Sequence, residues 1–358
     1  MEINLISSLP LFIIGFFMGL KIGELIEKEE ISLDYLSGKI VGIDTYNILY
    51  QFLSSIRNYD GTPLMDKQGN ITSHLSGVLY RTTNLLQRGI KPVFVFDGKH
   101  SKLKAETIRK RQEIRTQAEI EHKKALKEAR LEEARKAGSR ALKLTKEMVQ
   151  EAKNLIELMG LPVVQAENEG EAQIAFMVEK GDLYGCVSQD YDALLFGSKL
   201  LFRNITVSGK RKVPGKSIYI DVEPEKIELK KVLEHLGITR QKLIWLGILT
   251  GTDFNEKFPK IGPKTGLKLV QEFDSFEEII KETNFEPNFD YKEIEELFLK
   301  PEAEKNYKIE FKVPEKEKVI DFLCSNRDFS MDRVENALNK LEAKVQEKGT
   351  QSSLGKWL

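Results

Sequence analysis

Residues 39–53 read KIVGIDTYNILYQFL: a β-branched run of strand length, Lys39 to Asp44, closes on an acidic residue and gives way to a helical pattern. The arrangement returns at Pro92 to Asp97 (PVFVFD) and at Tyr184 to Gln189 (YGCVSQ), which Asp190 follows directly; a weaker run, LPVV, spans Leu161 to Val164. Strands alternating with helical stretches predict an α/β fold, with a mostly parallel, doubly wound central sheet flanked by helices. In such sheets ligands gather beyond the carboxyl ends of the strands, which is where Asp44, Asp97 and Asp190 fall.

The chain has 358 residues, enough for one large domain or two modest ones. Its 55 Lys+Arg balance 55 Asp+Glu, so only local charge can name a polyanion partner. Cys186 and Cys324 lie far apart in apolar surroundings, which excludes a disulfide scaffold and a cysteine zinc site and makes a reducing compartment the default. The four histidines, His74, His100, His122 and His235, show neither HExxH nor CxxH spacing. Zinc hydrolysis and imidazole catalysis therefore lack parts, and carboxylates remain as the reactive groups.

Between Lys99 and Lys146 there are 16 Lys+Arg, 7 Asp+Glu and no Phe, Trp or Tyr. Only weakly amphipathic, through Leu103, Ile108, Ile114 and Leu126, this stretch is expected to project as a basic helical arm, partly disordered when empty. Charge runs are often merely solvated faces, but this one starts two residues after Asp97. Lys104 and Arg111, seven apart, fall on one helical face. Farther on, IWLGILTGTD (Ile244 to Asp253) reads as an apolar helix, and Gly262-Pro263-Lys264-Thr265-Gly266 as a loop feeding a helix N-terminus. Its amides suit a phosphate, although a simple turn explains the glycines equally well. Residues 275–320 are acidic and helical in tendency, a supporting face.

Seven carboxylates can be argued together: Asp44, Asp97, Glu169, Glu171, Asp190, Asp192 and Asp253. In SQDYD the two aspartates stand two apart at a strand end, where period 2 puts both on one face. In AENEGEA, Asn168 and Glu171 have the form of an N-cap and capping box, so Glu171 has a structural reading as well. Glu169 and Glu171 lie ~200° apart around a regular helix, and both face one site only if Glu169 is still outside it. So many anions need neutralising, either by Lys and Arg or by hard divalent ions. The lack of nearby His and Cys fits Mg²⁺ or Mn²⁺ rather than zinc. With the basic arm and the phosphate-gripping loop, the set points to phosphodiester hydrolysis of nucleic acid.

At the start, residues 4–17 form an apolar run too short to span a bilayer comfortably and without the basic region of a signal peptide. Residues 1–17 are expected to be a misplaced start, with Met18 the true first residue and a membrane-binding segment the lesser reading. At the end, residues 347–358 close a polar stretch on apolar anchors. Gln351, Leu354, Trp357 and Leu358 suit a short docking peptide, against a frayed terminus.

The blocks IVGIDTYNILYQFL, PVFVFDGKHSKLKAETIRKR, ENEGEAQIAFM, VSQDYDALLFG, LTGTDFNEKFPKIGPKTG and QSSLGKWL, in order and spacing, resemble the structure-specific 5′-nuclease superfamily, and within it archaeal flap endonucleases. The resemblance covers Met18 to Leu358. It implies a single nuclease domain over 18–346, with a helical arch at about 99–150, a helix-turn-helix-like DNA grip at about 243–273, and a clamp-binding tail at 347–358. The seven carboxylates would hold two Mg²⁺ ions, with Mn²⁺ able to substitute. Lys104 and Arg111 match the cations that meet the scissile phosphate, and Tyr50 matches an aromatic on which a base stacks, with a core tyrosine as the plain alternative. Gly262, Lys264 and Thr265 match the element that binds downstream duplex beside a K⁺ ion. Two departures stand out: Lys260-Ile261-Gly262 replaces the usual Gly-Ile-Gly, and the tail ends in Trp357-Leu358 rather than two aromatics.

The implied activity is cleavage of 5′ flaps in branched DNA, with 5′ to 3′ exonuclease action, in lagging-strand replication and base excision repair. In-line hydrolysis would leave a 5′-phosphate and a 3′-hydroxyl. Implied partners are DNA and, through the tail, a sliding clamp (PCNA); a monomer in the cytoplasm is expected, with no membrane association. Rival readings are a mismatch-repair or bubble-cutting nuclease of the same superfamily, and a non-catalytic clamp-tethered scaffold.

Overall fold

The structure, a computed structural model, describes residues 20–58, 62–99, 101–206, 209–212 and 219–351. The N-terminal run 1–17 and the tail anchors Leu354, Trp357 and Leu358 lie outside the described residues, as does the side chain of Gln351.

In chain order the elements begin with β1 (Glu29–Glu30), β2 (Ile40–Asp44), α1 (Thr45–Ser55), α2 (Ser73–Gln87) and β3 (Lys91–Phe96). The arm follows as α3 (Ala105–Lys127) and α4 (Leu131–Arg140). Next come α5 (Lys146–Leu158), β4 (Val163–Gln165), α6 (Gly170–Lys180), β5 (Gly185–Val187), α7 (Asp192–Leu195) and β6 (Leu200–Arg203). Strands β7 (Gly209–Lys212) and β8 (Tyr219–Val222) pair only with each other; β9 (Glu225–Glu228), α8 (Leu229–Leu236), α9 (Arg240–Thr250) and α10 (Pro263–Glu272) follow. The last helices are α11 (Phe276–Thr283), α12 (Tyr291–Leu299), α13 (Lys316–Ile320) and α14 (Met331–Gln351).

The main sheet has seven strands in the order β1-β9-β6-β5-β2-β3-β4. Its five strands β6, β5, β2, β3 and β4 run parallel, while β9 pairs antiparallel with β6 and β1 antiparallel with β9. The mostly parallel sheet expected from the sequence is therefore present, extended by two short antiparallel strands. Alternation buries both faces. Val41, Ile43, Phe94, Phe96 and Val187 pack towards α1, α2, α5 and α14, whereas Val93, Val95 and Cys186 meet α6 and α9 on the other side. Each fully buried phenylalanine contributes roughly 1.5–3 kcal/mol by leaving water.

From β2 the chain builds outward through β3 and β4, then crosses back to place β5 on the opposite flank of β2. The β2/β5 boundary is thus the topological switch point, where diverging connections leave a crevice beyond the strand ends. Register sets what faces it. Ile43 pairs with Val187, so Ser188 is level with Asp44; Asp44 pairs with Val95, so Asp97 lies two residues beyond.

Within the arm, α3 and α4 meet through small residues, with Ala118, Ala125, Ala134 and Ala137 buried. Apart from His122, whose Nδ1 lies 2.6 Å from Ala134 O, the described seam is built from alanines, which explains why the arm carries so little apolar periodicity. α5 already belongs to the body, where Ala152, Leu155 and Ile156 join the core. Among the described residues no helix is long and apolar enough to cross a membrane.

Candidate active site

Asp44 ends β2 and caps α1, its Oδ1 accepting from the Asn47 N–H at 3.1 Å and its Oδ2 from the Ser188 hydroxyl at 3.1 Å. Asp97 follows β3, and the backbone keeps pairing past it: Gly98 N–H donates to Asn168 O at 2.7 Å and Lys99 N–H to Glu167 O at 2.8 Å. A Cβ on Gly98 would stand 2.1 Å from Glu167 O, so only glycine lets these two segments close together. That contact carries Asp97 to the start of α6, where its Oδ1 accepts from Gly170 N–H at 2.8 Å.

The capping-box reading of Asn168 with Glu171 is corrected. The N-cap of α6 is Glu169, with extended φ −87° and ψ 130°, and its own side chain makes no capping bond; the first N–H of the helix, that of Gly170, goes to Asp97 instead. Asn168 instead donates to Glu302 at 2.8 Å. Because Glu169 precedes the first helical turn, its direction is uncoupled from the helical period, and both Glu169 and Glu171 turn towards the site. The strand-period reading of Asp190 and Asp192 is also corrected: β5 stops at Val187, Asp190 lies in a turn and Asp192 opens α7. The turn brings the two aspartates together, with Asp190 N–H donating to Ser188 Oγ at 3.1 Å and Leu20 N–H to Asp192 Oδ1 at 3.2 Å. Asp253 comes from the loop after α9, which begins at Arg240 and ends at Thr250 rather than running on to Asp253. Asn255 pins that loop by donating to Ile248 O at 2.7 Å, and Phe254 and Phe258 anchor it in the core.

Of the two sources of neutralisation left open by the sequence, Lys and Arg side chains supply the first for Glu169 and Asp253. Lys104, in the 3₁₀ turn before α3, donates to Glu169 and stands 3.4 Å from Asp253, while Arg111 Nη2 reaches Asp253 Oδ1 at 2.5 Å. Burial would lower the Lys104 pKa, but Glu169, Asp253 and Asp97 hold it above the usual lysine value. The remaining carboxylates are under-compensated. Burial, then the charge of Asp97, pushes Asp44 up to about 8 against hydrogen bonds from Asn47 and Ser188. Burial, then Asp253, raises Asp190 to about 6. Burial and neighbouring aspartates lift Glu171 and Asp192 well above the carboxylate range.

Among the described residues, no three His, Cys, Asp or Glu side chains are gathered tightly enough to enclose an ion as they stand. The donor chemistry nevertheless fits hard divalent ions. All seven groups are carboxylates, and Glu169 Oε1 and Glu171 Oε1 are buried with no hydrogen-bond partner. Carboxylates raised first by burial and then by one another's charge are ones that a bound cation would stabilise in the ionised form.

Tyr50 is half-buried at the junction of α1 with the arm rather than in the core. Its hydroxyl accepts from Arg115 Nη2 at 2.9 Å, and the guanidinium lies 5.4 Å from the ring centre. Arg115 was missed in the sequence; its signal is its position, four after Arg111 and eleven after Lys104, on the same face of α3. Gly262 caps α10 with Pro263 at its first turn, and the exposed Lys264 stands 3.5 Å from Glu24, next to an exposed Thr265. Lys260 has φ +62°, the left-handed conformation that a glycine takes without strain, so a lysine here holds a glycine's backbone geometry.

The chain matches the family models for the XPG N-terminal domain over residues 18–118 and the XPG I-region over 160–253. Together these enclose all seven carboxylates. It is 50% identical to Flap endonuclease 1 of Pyrococcus abyssi over 341 residues, which is 95% of this chain and 98% of that protein. To Flap endonuclease 1 of Staphylothermus marinus it is 49% identical over 352 residues, 95% of this chain and 99% of that one. The solved flap endonuclease-1 from Methanococcus jannaschii superimposes with a TM-score of 0.74 at 41% identity, covering 92% of this chain and all of that one.

Proposed function

This chain belongs to the flap endonuclease family, and from that membership we propose that its seven carboxylates form a two-metal site for cutting 5′ flaps. It is a metal-dependent nuclease that hydrolyses phosphodiester bonds and acts on DNA flaps. Asp44, Asp97, Glu169, Glu171, Asp190, Asp192 and Asp253 would hold two Mg²⁺ ions, and Mn²⁺ would serve in their place. Bound there, the pair supplies Lewis-acid stabilisation of the attacking and leaving oxygens of an in-line displacement.

The protein's own groups do the rest. Lys104 and Arg111 move from their carboxylate partners to the phosphate oxygens, where they offset developing charge. Tyr50, at the base of the arm, offers its ring to the unpaired base beside the scissile phosphate. The arm takes the free 5′ end, which favours flaps over closed bubbles. Gly262, Lys264 and Thr265 bring the N-terminus of α10 to the backbone of the downstream duplex, with a K⁺ ion beside it; binding there is through phosphate rather than base edges. The tail from Gln351 through Leu354, Trp357 and Leu358 docks on a sliding clamp, and the enzyme works as a cytoplasmic monomer in replication and excision repair.

The observation that carries this reading is the convergence at one topological switch point of acids from β2, β3, α6, the β5–α7 turn and the α9 loop, with the arm's cations at the mouth. The test is product mapping on labelled 5′-flap, nicked, bubble and single-stranded substrates with and without Mg²⁺. A Mg²⁺-dependent cut at the flap junction, favoured over bubbles, is expected. Asp190→Asn should abolish cutting while flap binding persists; normal cutting by that variant would refute the site.

A further inference from the structure

Three side chains that no motif singled out, Asn47, Ser188 and Arg203, take hold of the irregular turn that carries Asp190 and Asp192. Both peptide groups of Gln189 are occupied: its N–H donates to Asn47 Oδ1 at 3.2 Å, and its carbonyl accepts from Arg203 Nε at 3.2 Å. One residue on, Asp190 N–H donates to Ser188 Oγ at 3.1 Å, and the same hydroxyl donates to Asp44 Oδ2 at 3.1 Å. The backbone N–H of Asn47 donates to the other oxygen of Asp44. Arg203 reaches further, donating to Tyr191 OH at 2.6 Å and to Glu225 at 2.8 Å, with its guanidinium 4.5 Å from the centre of the Tyr191 ring.

Ser188 and Asn47, which hold Asp44, therefore also hold the turn, and Arg203 braces the turn from its other side. Ser188 and Asn47 are buried, and the Arg203 side chain is nearly so. A turn without sheet or helix bonds has no other way to satisfy its peptide groups away from water. Carboxylates that repel one another would drift apart unless the backbone beneath them were fixed.

We infer that Asn47, Ser188 and Arg203 are positioning residues that lock Asp44 against Asp190 and Asp192 and so set the affinity of the site for divalent ions. The inference rests on the two-metal reading above. Outer-shell partners of this kind typically change metal affinity 10–100-fold.

The test is calorimetric Mn²⁺ binding to the full chain, with circular dichroism as the check on folding, for the wild type, Asn47→Ala, Ser188→Ala, Ser188→Thr and the charge-balanced pair Arg203→Met/Glu225→Gln. Asn47→Ala and Ser188→Ala are expected to weaken Mn²⁺ about 10-fold or more with secondary structure retained. Ser188→Thr keeps the hydroxyl and should stay within about threefold of wild type, the rescue that separates a hydrogen-bond role from simple packing. Excess Mn²⁺ should restore flap cutting by Ser188→Ala but not by Asp190→Asn. Wild-type affinity in both alanine variants, or a threonine variant no better than alanine, would overturn the inference and leave the metal reading standing. A wild-type chain that takes up no Mn²⁺ would overturn both.

Discussion

Lys104 meets two acids at once, and its charge separates its role from theirs. If it offsets charge on the scissile phosphate, Lys104→Met should lower kcat about 100-fold or more, the scale of losing one such donor. Calorimetric Mn²⁺ affinity should not weaken, because Glu169 and Asp253 lose a competing cation. Loss of Mn²⁺ binding in step with kcat would make Lys104 a structural counter-ion instead. Lys260 is a second informative residue. A lysine at φ +62° carries strain of about 1–2 kcal/mol, partly balanced by the greater unfolded-chain entropy of glycine. Lys260→Gly should therefore raise stability by up to about 1 kcal/mol in urea unfolding; a destabilised variant would mean that the lysine side chain holds the loop. From sequence alone the seven acids and two cations stood out, because their residue types are costly to gather. Asn47, Ser188, Arg203 and Arg115 did not, because small polar groups and surface cations occur everywhere and only contacts distinguish them.

At the level of elements, the start of α6 couples two acids. Gly170 N–H holds Asp97, and a Cβ on Gly170 would stand 2.8 Å from Asp97 Oδ1. Gly170→Ala should displace that carboxylate and reduce flap cutting at least about 10-fold, in line with the loss of an outer-shell contact, while the far-ultraviolet dichroism is unchanged. Cutting at the wild-type rate would show that the carboxylate relaxes freely. Strands β2 and β3 were legible as apolar runs ending in aspartate. The short antiparallel-paired strands β1 and β9 were not: two to four residues rich in charge, held by Lys226 between Glu29 and Glu228, carry no period to detect. The arm was legible by composition, whereas its seam of alanines was not, since alanine is as common on a solvated helix as between two.

Across the whole molecule, the buried acids make stability depend on pH in an unusual direction. Asp44 is raised to about 8 and Asp190 to about 6, so the folded chain binds more protons than the unfolded chain from about pH 4 to 8. Stability contributed by these groups is fully present below about pH 4 and is lost as pH rises to about 6 for Asp190 and about 8 for Asp44. Below the ordinary carboxylate range the opposite holds for Glu151, whose pKa lies below its usual value despite burial because His74 and Arg327 bind its charged form. Thermal melts in a chelator should thus peak near pH 4 and fall by on the order of 5 °C towards pH 8.5. Saturating Mg²⁺ should suppress that fall, as a cation replaces the missing protons. A flat profile in chelator would show that the acids do not share one desolvated site. Sequence by itself determined the layered α/β class, the chemistry available and the family, because apolar period, residue type and motif order are properties of the chain as written. Tertiary structure decided which acids are compensated by lysine and arginine, how Glu169 escapes the helical period, and which neutral side chains fix the Asp190 turn. Those depend on strand register and crossover, which join residues more than a hundred positions apart and leave no local trace.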